Sequence, residues 1–587
     1  TGTYLLVLDF KSLYPSIMRT YNISPDSICN DENESGITAP NGARFVAASR
    51  REGIFPYLLT QLVETRNKTK KLMKEAQTDE DRRTLNAKQL AIKDMSNSVH
   101  ASTDIVVKDS SGSLHVYEIE DFFKELAKTH EITDLGTTEV IELEGWETLS
   151  VNNNETCFRP LYAISRHKPK GDLTKITTPM GHVAITDDHS VMIMQGKSSN
   201  RQRESTFDRL VQKGGKDVSR QDVIAQIRRI ALPEKEVTFD WLAFLKRLPQ
   251  DEISDICVYI PKKMNLNKRG WIHNRAKMIS AVNQRTNSVT LQRSVERRII
   301  RNSEGFLINR VGLTTVGNCG TVPVYQATDE GDALLSFYDD FLAANEEAKF
   351  YTIPITHVHT LPKFIKEQAL IAVGGAHQGR RKLPVYMDVT EELAELLGWF
   401  VAEGSTCKKK GSFSTRISNA DKKNVQRIVS LIKKCFDYDA HVFNKDITMG
   451  TKLFYLFFRH LCGPSSYKKQ VPALILNSNS RLRNAFMTGY YSGDGNKKTH
   501  RINTCSKRLA AQINLMLKEH SGVQHNTFDG LHRISQRHTS HGQKIVFNDL
   551  FGQCPTDITV CKPSEYVYDL SVSDTEMFVT AQGIVLH

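Results

Sequence analysis

The sequence has no run of about 18 apolar residues, so no membrane-crossing helix is expected. Its first residues, TGTYLLVLDF, lack a basic stretch followed by a long apolar core and a cleavage site, so they do not read as a secretory signal. Cysteine is sparse, ten in 587 residues, and no two stand as CxxC. That spacing argues against a zinc ribbon and predicts free thiols in a reducing compartment inside the cell, cytoplasm or nucleus. Acidic residues are in deficit: 66 against 78 basic ones, a net charge of +12. A pI of about 9.0 points to a polyanionic partner, nucleic acid first among them, although a solvated basic surface would give the same number. The length allows about three or four domains.

The apolar run YLLVLDF ends in Asp9, a carboxylate at the end of a strand and well placed to hold Mg²⁺. The following segment GIFPYLLTQLVETRNKTKKLMKEA repeats apolar residues at helical spacing (Leu58, Leu59, Leu62, Val63) and sets Arg66 and Lys70 on one face. By itself that face reads as a solvated basic helix. Farther on stands KQLAIKDMSN, with Lys93. Together, DFKSLYPSIM, this helix and KQLAIKDMSN resemble motif A, the fingers helix and the first half of motif B of family B DNA polymerases. The resemblance implies that Asp9 binds metal and that Arg66, Lys70 and Lys93 face the incoming triphosphate. It then breaks off. After Asn97 comes SVHA instead of S-x-Y-G, and no Y-G-D-T-D string follows anywhere. Two-metal phosphoryl transfer needs at least two carboxylates, so this piece alone is not expected to polymerise DNA.

SVHASTDIVV, starting at Ser98, resembles the opening of an intein, a self-excising insertion, with Asn97 as the last residue of the host; Ser102 is the other candidate for first position. The run GWETLSVNNNETCFRPLYAISRHKPKGDLTKITTPMGHVAITDDHSVM resembles polymerase inteins throughout and holds Thr186 and His189 in T-x-x-H spacing. The resemblance implies that Ser98 attacks the carbonyl before it, assisted by this block, with His189 protonating the leaving amide. Near the end, VYDLSV supplies Asp569, implied to activate the later steps, and MFVTAQGIVLH ends at His587 in the penultimate-histidine position. Glu576 stands where many inteins have histidine. The terminal asparagine and the downstream host segment, the C-extein, are not in the sequence, so a precursor trapped before completion is expected. The resemblance implies that splicing needs no cofactor.

Two strings repeat, LLGWFVAEG (396–404) and MTGYYSGDG (487–495), each with a glycine five residues before an acid. Gly398 and Gly489 would let two helices approach closely, setting Glu403 and Asp494 side by side as ligands for Mg²⁺, or the acids could be incidental to two core helices. A matching strand-then-helix unit follows each string, an internal repeat. The pattern resembles LAGLIDADG homing endonucleases. It implies cleavage of double-stranded DNA spanning the insertion site, with Lys469 activating water or contacting phosphate beside Lys468. A recognition domain that binds but no longer cuts is the alternative.

The expected architecture is multidomain. An α/β palm and fingers fragment covers 1–97. A β-rich Hint horseshoe is formed by 98–215 and 556–587, and an α/β endonuclease by 385–555. Residues 216–384 make a basic inserted region whose amphipathic helices either recognise DNA or act as scaffold. The chain is expected to be monomeric and away from membranes.

Overall fold

The computed structural model describes residues 13–29, 36–39, 42–60, 97–197, 206–261, 269–283, 302–315, 321–343, 352–355, 358, 361–373, 382–409, 411–496, 501–518, 523–528, 531–536, 545–573 and 575–587. Asp9, Arg66, Lys70 and Lys93 lie outside them, as does the basic run 291–301. No helix among the described residues is long and apolar enough to cross a membrane, and the described cysteines are free thiols. The chain divides into two compact units, one of residues 1–231 with 510–587, the other of 232–509.

The first unit is sheet-rich. Its central feature is a very short strand, β1 (Val99–His100), held on both sides by strands distant in sequence. The order across the sheet passes from β3 (Gly181–Ile185) through β1 to β5 (Val567–Val572) and on to the long β2 (Glu155–His167). Val99 pairs with Ile185 on one side and with Tyr568 on the other. A second sheet joins β4 (Ser190–Lys197) to β6 (Val585–Leu586), Val191 opposite Leu586. Strand periodicity explains the core. Val99, Ile185, Val191, Tyr568, Leu570 and Leu586 come from both ends of the segment and are buried in one apolar cluster. Strands from the two ends of the segment are thus direct neighbours in one sheet.

The sheet reaches beyond the boundaries at 215 and 556 read from sequence, because Ile224–Ile227 pairs with Leu550–Gln553. Here the expectation of amphipathic helices in the basic inserted region is corrected at its start. Ile224–Ile227 is a strand with every residue buried, and its hydrogen-bond partner lies more than 300 residues away, invisible to a local pattern. Helix does form at Trp241–Leu245, where the Asp240 carboxylate accepts hydrogen bonds from the amides of Leu242 and Ala243.

In the second unit, the two repeated strings form α1 (Glu391–Glu403) and α2 (Ser480–Gly493). Each opens on a side-chain cap, Thr390 to the Leu393 amide and Asn479 to the Leu482 amide. The glycines are required. A Cβ on Gly398 would sit 2.0 Å from the Phe486 carbonyl oxygen, and one on Gly489 would sit 2.1 Å from that of Glu395. Backbone meets backbone at this crossing, so no side chain fits at either position. After α1 the chain forms a hairpin (Gly404–Lys409 with Ser412–Ser418), a helix (Lys422–Phe436) and a second strand pair. After α2 the same sequence of elements recurs along the chain, running past residue 509 into residues grouped with the first unit: Gly495–Asn496 with Arg501–Thr504, the helix Lys507–Leu517, then Val523–Phe528 with Leu531–Gln536. The repeated unit is therefore two strand pairs with a helix between them, more than the strand-then-helix pattern anticipated.

Candidate functional site

Ser98 precedes β1 and is completely buried. Its hydroxyl oxygen stands 2.6 Å from the carbonyl oxygen of Asn97, the peptide it would have to attack. The Ser98 amide donates to Oγ1 of Thr186 at 3.1 Å, and the same hydroxyl donates to the Ser98 carbonyl at 3.2 Å. The Thr186 amide closes the contact by donating to that carbonyl at 2.9 Å. Thr186 therefore grips both polar atoms of Ser98, and it can do so because it directly follows β3, the neighbour of β1.

The T-x-x-H spacing is a tight turn between β3 and β4, with the His189 amide donating to the Thr186 carbonyl at 3.0 Å. Thr174 fastens it by donating to Asp187. His189 itself differs from the expectation. Its ring is fully buried, and neither nitrogen has a hydrogen-bond partner in the structure. Thr186, not His189, meets the Ser98 amide. The backbone amide of His587 donates to the Ser190 carbonyl, which brings the end of β6 beside this turn. Asp569 is buried on β5 opposite Ser165. Glu576 is exposed on a left-handed backbone, φ 52°.

Burial first, and then the His587 charge, pull the His189 pKa from 6.5 down to about 3. The folded state thus favours the neutral ring. Its contribution to stability is complete above the unfolded value and is lost as pH falls from about 6.5 toward 3, at about 1.4 kcal/mol per pH unit. Hydrogen exchange in the first unit should show that slope between pH 6 and 4, and His189→Leu should flatten it. An unchanged slope in the variant would assign the acid sensitivity to other groups.

One residue that sequence reasoning did not single out completes the site. His167 closes β2, and its Nε2 lies 2.9 Å from the Ser98 hydroxyl. Only the pairing of β2 with β5, and of β5 with β1, brings these two residues together. No local motif carries that information.

Residues 2–119 match the family model for DNA polymerase family B. A DNA polymerase of Thermococcus hydrothermalis is 29% identical over 565 residues, covering 93% of this chain and 31% of its own length. That alignment extends far beyond residues 2–119. The DNA polymerase delta catalytic subunit of Caenorhabditis elegans matches only 110 residues, at 36% identity, covering 18% of this chain and 10% of its own. The front of the chain is thus similar to family B DNA polymerases, and the similarity to the archaeal polymerase continues through the residues that follow. The chain spans about a third of the length of its Thermococcus relative. Among solved structures, a transcription factor IIB mini-intein is similar over 22% of this chain and 69% of its own, at 20% identity and a TM-score of 0.19.

A second candidate site lies in the second unit. Glu403 is the last residue of α1, and Asp494 follows α2 directly. A Cβ on Gly493 would lie 3.0 Å from Cγ of Glu403, so the two helix ends bring their acids close. Asp494 keeps an exposed edge, yet desolvation of its carboxyl, and next the Glu403 charge, push its pKa up to about 7. Burial also raises Glu403. A carboxyl raised by burial and by the charge of a neighbouring acid suits a divalent cation, which would relieve that repulsion. No cluster of three or more potential ligands gathers among the described residues.

Lys469 is placed differently from a phosphate contact. It is buried, and its ammonium donates to the carbonyls of Phe400 (2.7 Å) and Gly404 (2.8 Å) and lies 4.0 Å from the centre of the Phe400 ring. Burial pulls its pKa down to about 8. The side chain therefore caps the end of α1 on either side of Glu403, while Lys468 stands exposed beside it.

Proposed function

We propose that the first unit is a self-processing centre that converts the Asn97–Ser98 peptide bond to an ester, the opening step of protein splicing. The observation that carries this reading is the buried Ser98 hydroxyl, 2.6 Å from the Asn97 carbonyl oxygen, with the scissile amide held by Thr186. Proximity of this kind turns a weak nucleophile into an effective one. His189 and His587 stand at the turn beside Thr186, and Asp569 in the strand that pairs with β1, the positions from which later proton transfers would be served. No metal or cofactor takes part in this step. Placing Asn and a Ser-x-Tyr-Gly host segment after His587 tests the reading. Mass spectrometry should find the ligated host ends and the excised segment; a chain that stays intact on prolonged incubation would overturn it.

The second unit is proposed to be an endonuclease of LAGLIDADG type acting on double-stranded DNA that spans the uninterrupted insertion site. Glu403 and Asp494 would hold Mg²⁺, which supplies charge stabilisation and an activated water when bound. Lys469 would fix the end of α1 rather than touch phosphate. Residues 232–384, around the sheet formed by Ile256–Tyr259, Thr352–Pro354, Leu370–Val373 and Leu383–Pro384, would widen the DNA contact. Polymerisation by the complete host protein would depend on Asp9, Arg66, Lys70 and Lys93 together with acids from the rest of that protein.

A further inference from the structure

We propose that His167 is the general base that activates Ser98, given that Ser98 is the nucleophile of the self-processing reading. The imidazole is buried, and its two nitrogens have separate partners. Nδ1 lies 3.0 Å from the Lys168 carbonyl oxygen, which can only accept, so Nδ1 carries the proton of the neutral ring. Nε2 then presents a lone pair to the Ser98 hydroxyl at 2.9 Å. A backbone carbonyl thus fixes the tautomer and the ring orientation, as a base needs. The hydroxyl has one proton and two acceptors in reach, Nε2 and the Asn97 oxygen. When the proton points at Nε2, an oxygen lone pair is left for the Asn97 carbonyl carbon.

The step balances without a co-reactant. The Ser98 oxygen bonds to the Asn97 carbonyl carbon as its proton moves to Nε2, leaving the negative charge on the Asn97 oxygen. The carbon–nitrogen bond then breaks, the carbonyl re-forms as an ester, and the imidazolium proton finishes on the freed Ser98 amine. Thr186 holds that nitrogen throughout, and His189, without a hydrogen bond to it, is not needed as the base.

The test is hydroxylamine-dependent release of residues 1–97 from the whole chain, in His167→Gln and His167→Ala. Both should slow release at least about 10²-fold, the lower end of general-base assistance. The same substitutions are then made with Ser98→Cys at pH 9, where a thiol of ordinary pKa about 8.5 ionises unaided. There the loss should shrink to about threefold or less, because a thiolate needs no base. Equal losses in the serine and cysteine chains would show that His167 only supports the fold and would overturn the proposal. So would an unchanged rate in the serine chain. If the His167 variants keep full activity while Ser98→Ala is inert, this inference fails and the self-processing reading stands. If Ser98→Ala still releases the fragment, the reading itself falls.

Discussion

Hydroxylamine is expected to release residues 1–97 from the intact chain, and Ser98→Ala is expected to abolish that release. An ester is attacked readily by hydroxylamine and an amide is not, so the reagent reports how often the Asn97–Ser98 bond has shifted. Alanine removes the only atom that can make the ester, and nothing beside it substitutes. Ser102, the other serine near this end, is engaged with the His100 ring through a 2.8 Å hydrogen bond. Gel electrophoresis and mass spectrometry of the released fragment measure the outcome. Continued release from Ser98→Ala, with the cut moved to Ser102, would transfer the chemistry to that residue.

The second large effect concerns DNA. Purified protein with Mg²⁺ should cut a duplex that spans the uninterrupted insertion site, and Glu403→Gln or Asp494→Asn should reduce cutting by at least about 10²-fold with binding retained. The amides keep the shape of the side chains and lose the charge that holds the cation. Asp494 keeps its proton up to about pH 7, so metal must displace it in more acidic solution. Cleavage at limiting Mg²⁺ should therefore fall by up to about tenfold for each pH unit below 7. Tight, salt-sensitive binding without cleavage would describe a recognition domain that has lost its nuclease chemistry. No preference for the junction duplex over random DNA would end the homing interpretation.

Comparison of the two sites shows what a sequence can carry. Gly398 and Glu403, or Gly489 and Asp494, sit within one helical string, and the string occurs twice. Spacing thus allows a close helix crossing with acids at its ends, and the internal repeat and the family resemblance favour it over incidental acids. Thr186 and His189 were legible for the same reason, being a single turn apart. His167 was not legible, because its relation to Ser98 runs through two strand pairings, each to a segment near residue 568. The strand Ile224–Ile227, in a region whose sequence predicts amphipathic helices, is hidden on the same account: its partner strand, Leu550–Gln553, is remote. For Lys469 the resemblance leaves water activation and phosphate contact both open, and only the folded chain reveals that two carbonyls already occupy its ammonium. Asp9, Arg66, Lys70 and Lys93 remain readings of the sequence, outside the described residues.

The placement of β1 between strands from opposite ends of the segment bears on how much sequence can be lodged within it. Joining two points of a flexible chain costs entropy that rises only with the logarithm of the intervening length, about 0.6 kcal/mol for each doubling. Val99 and Tyr568 are held in register by their own ladder and by the apolar cluster around them. Removing residues 232–509, or replacing them with another domain whose ends lie near each other, would change that cost little. The first unit is in this sense a clasp that is indifferent to its cargo. The two halves of the clasp, made as separate polypeptides, should find one another by the same pairing.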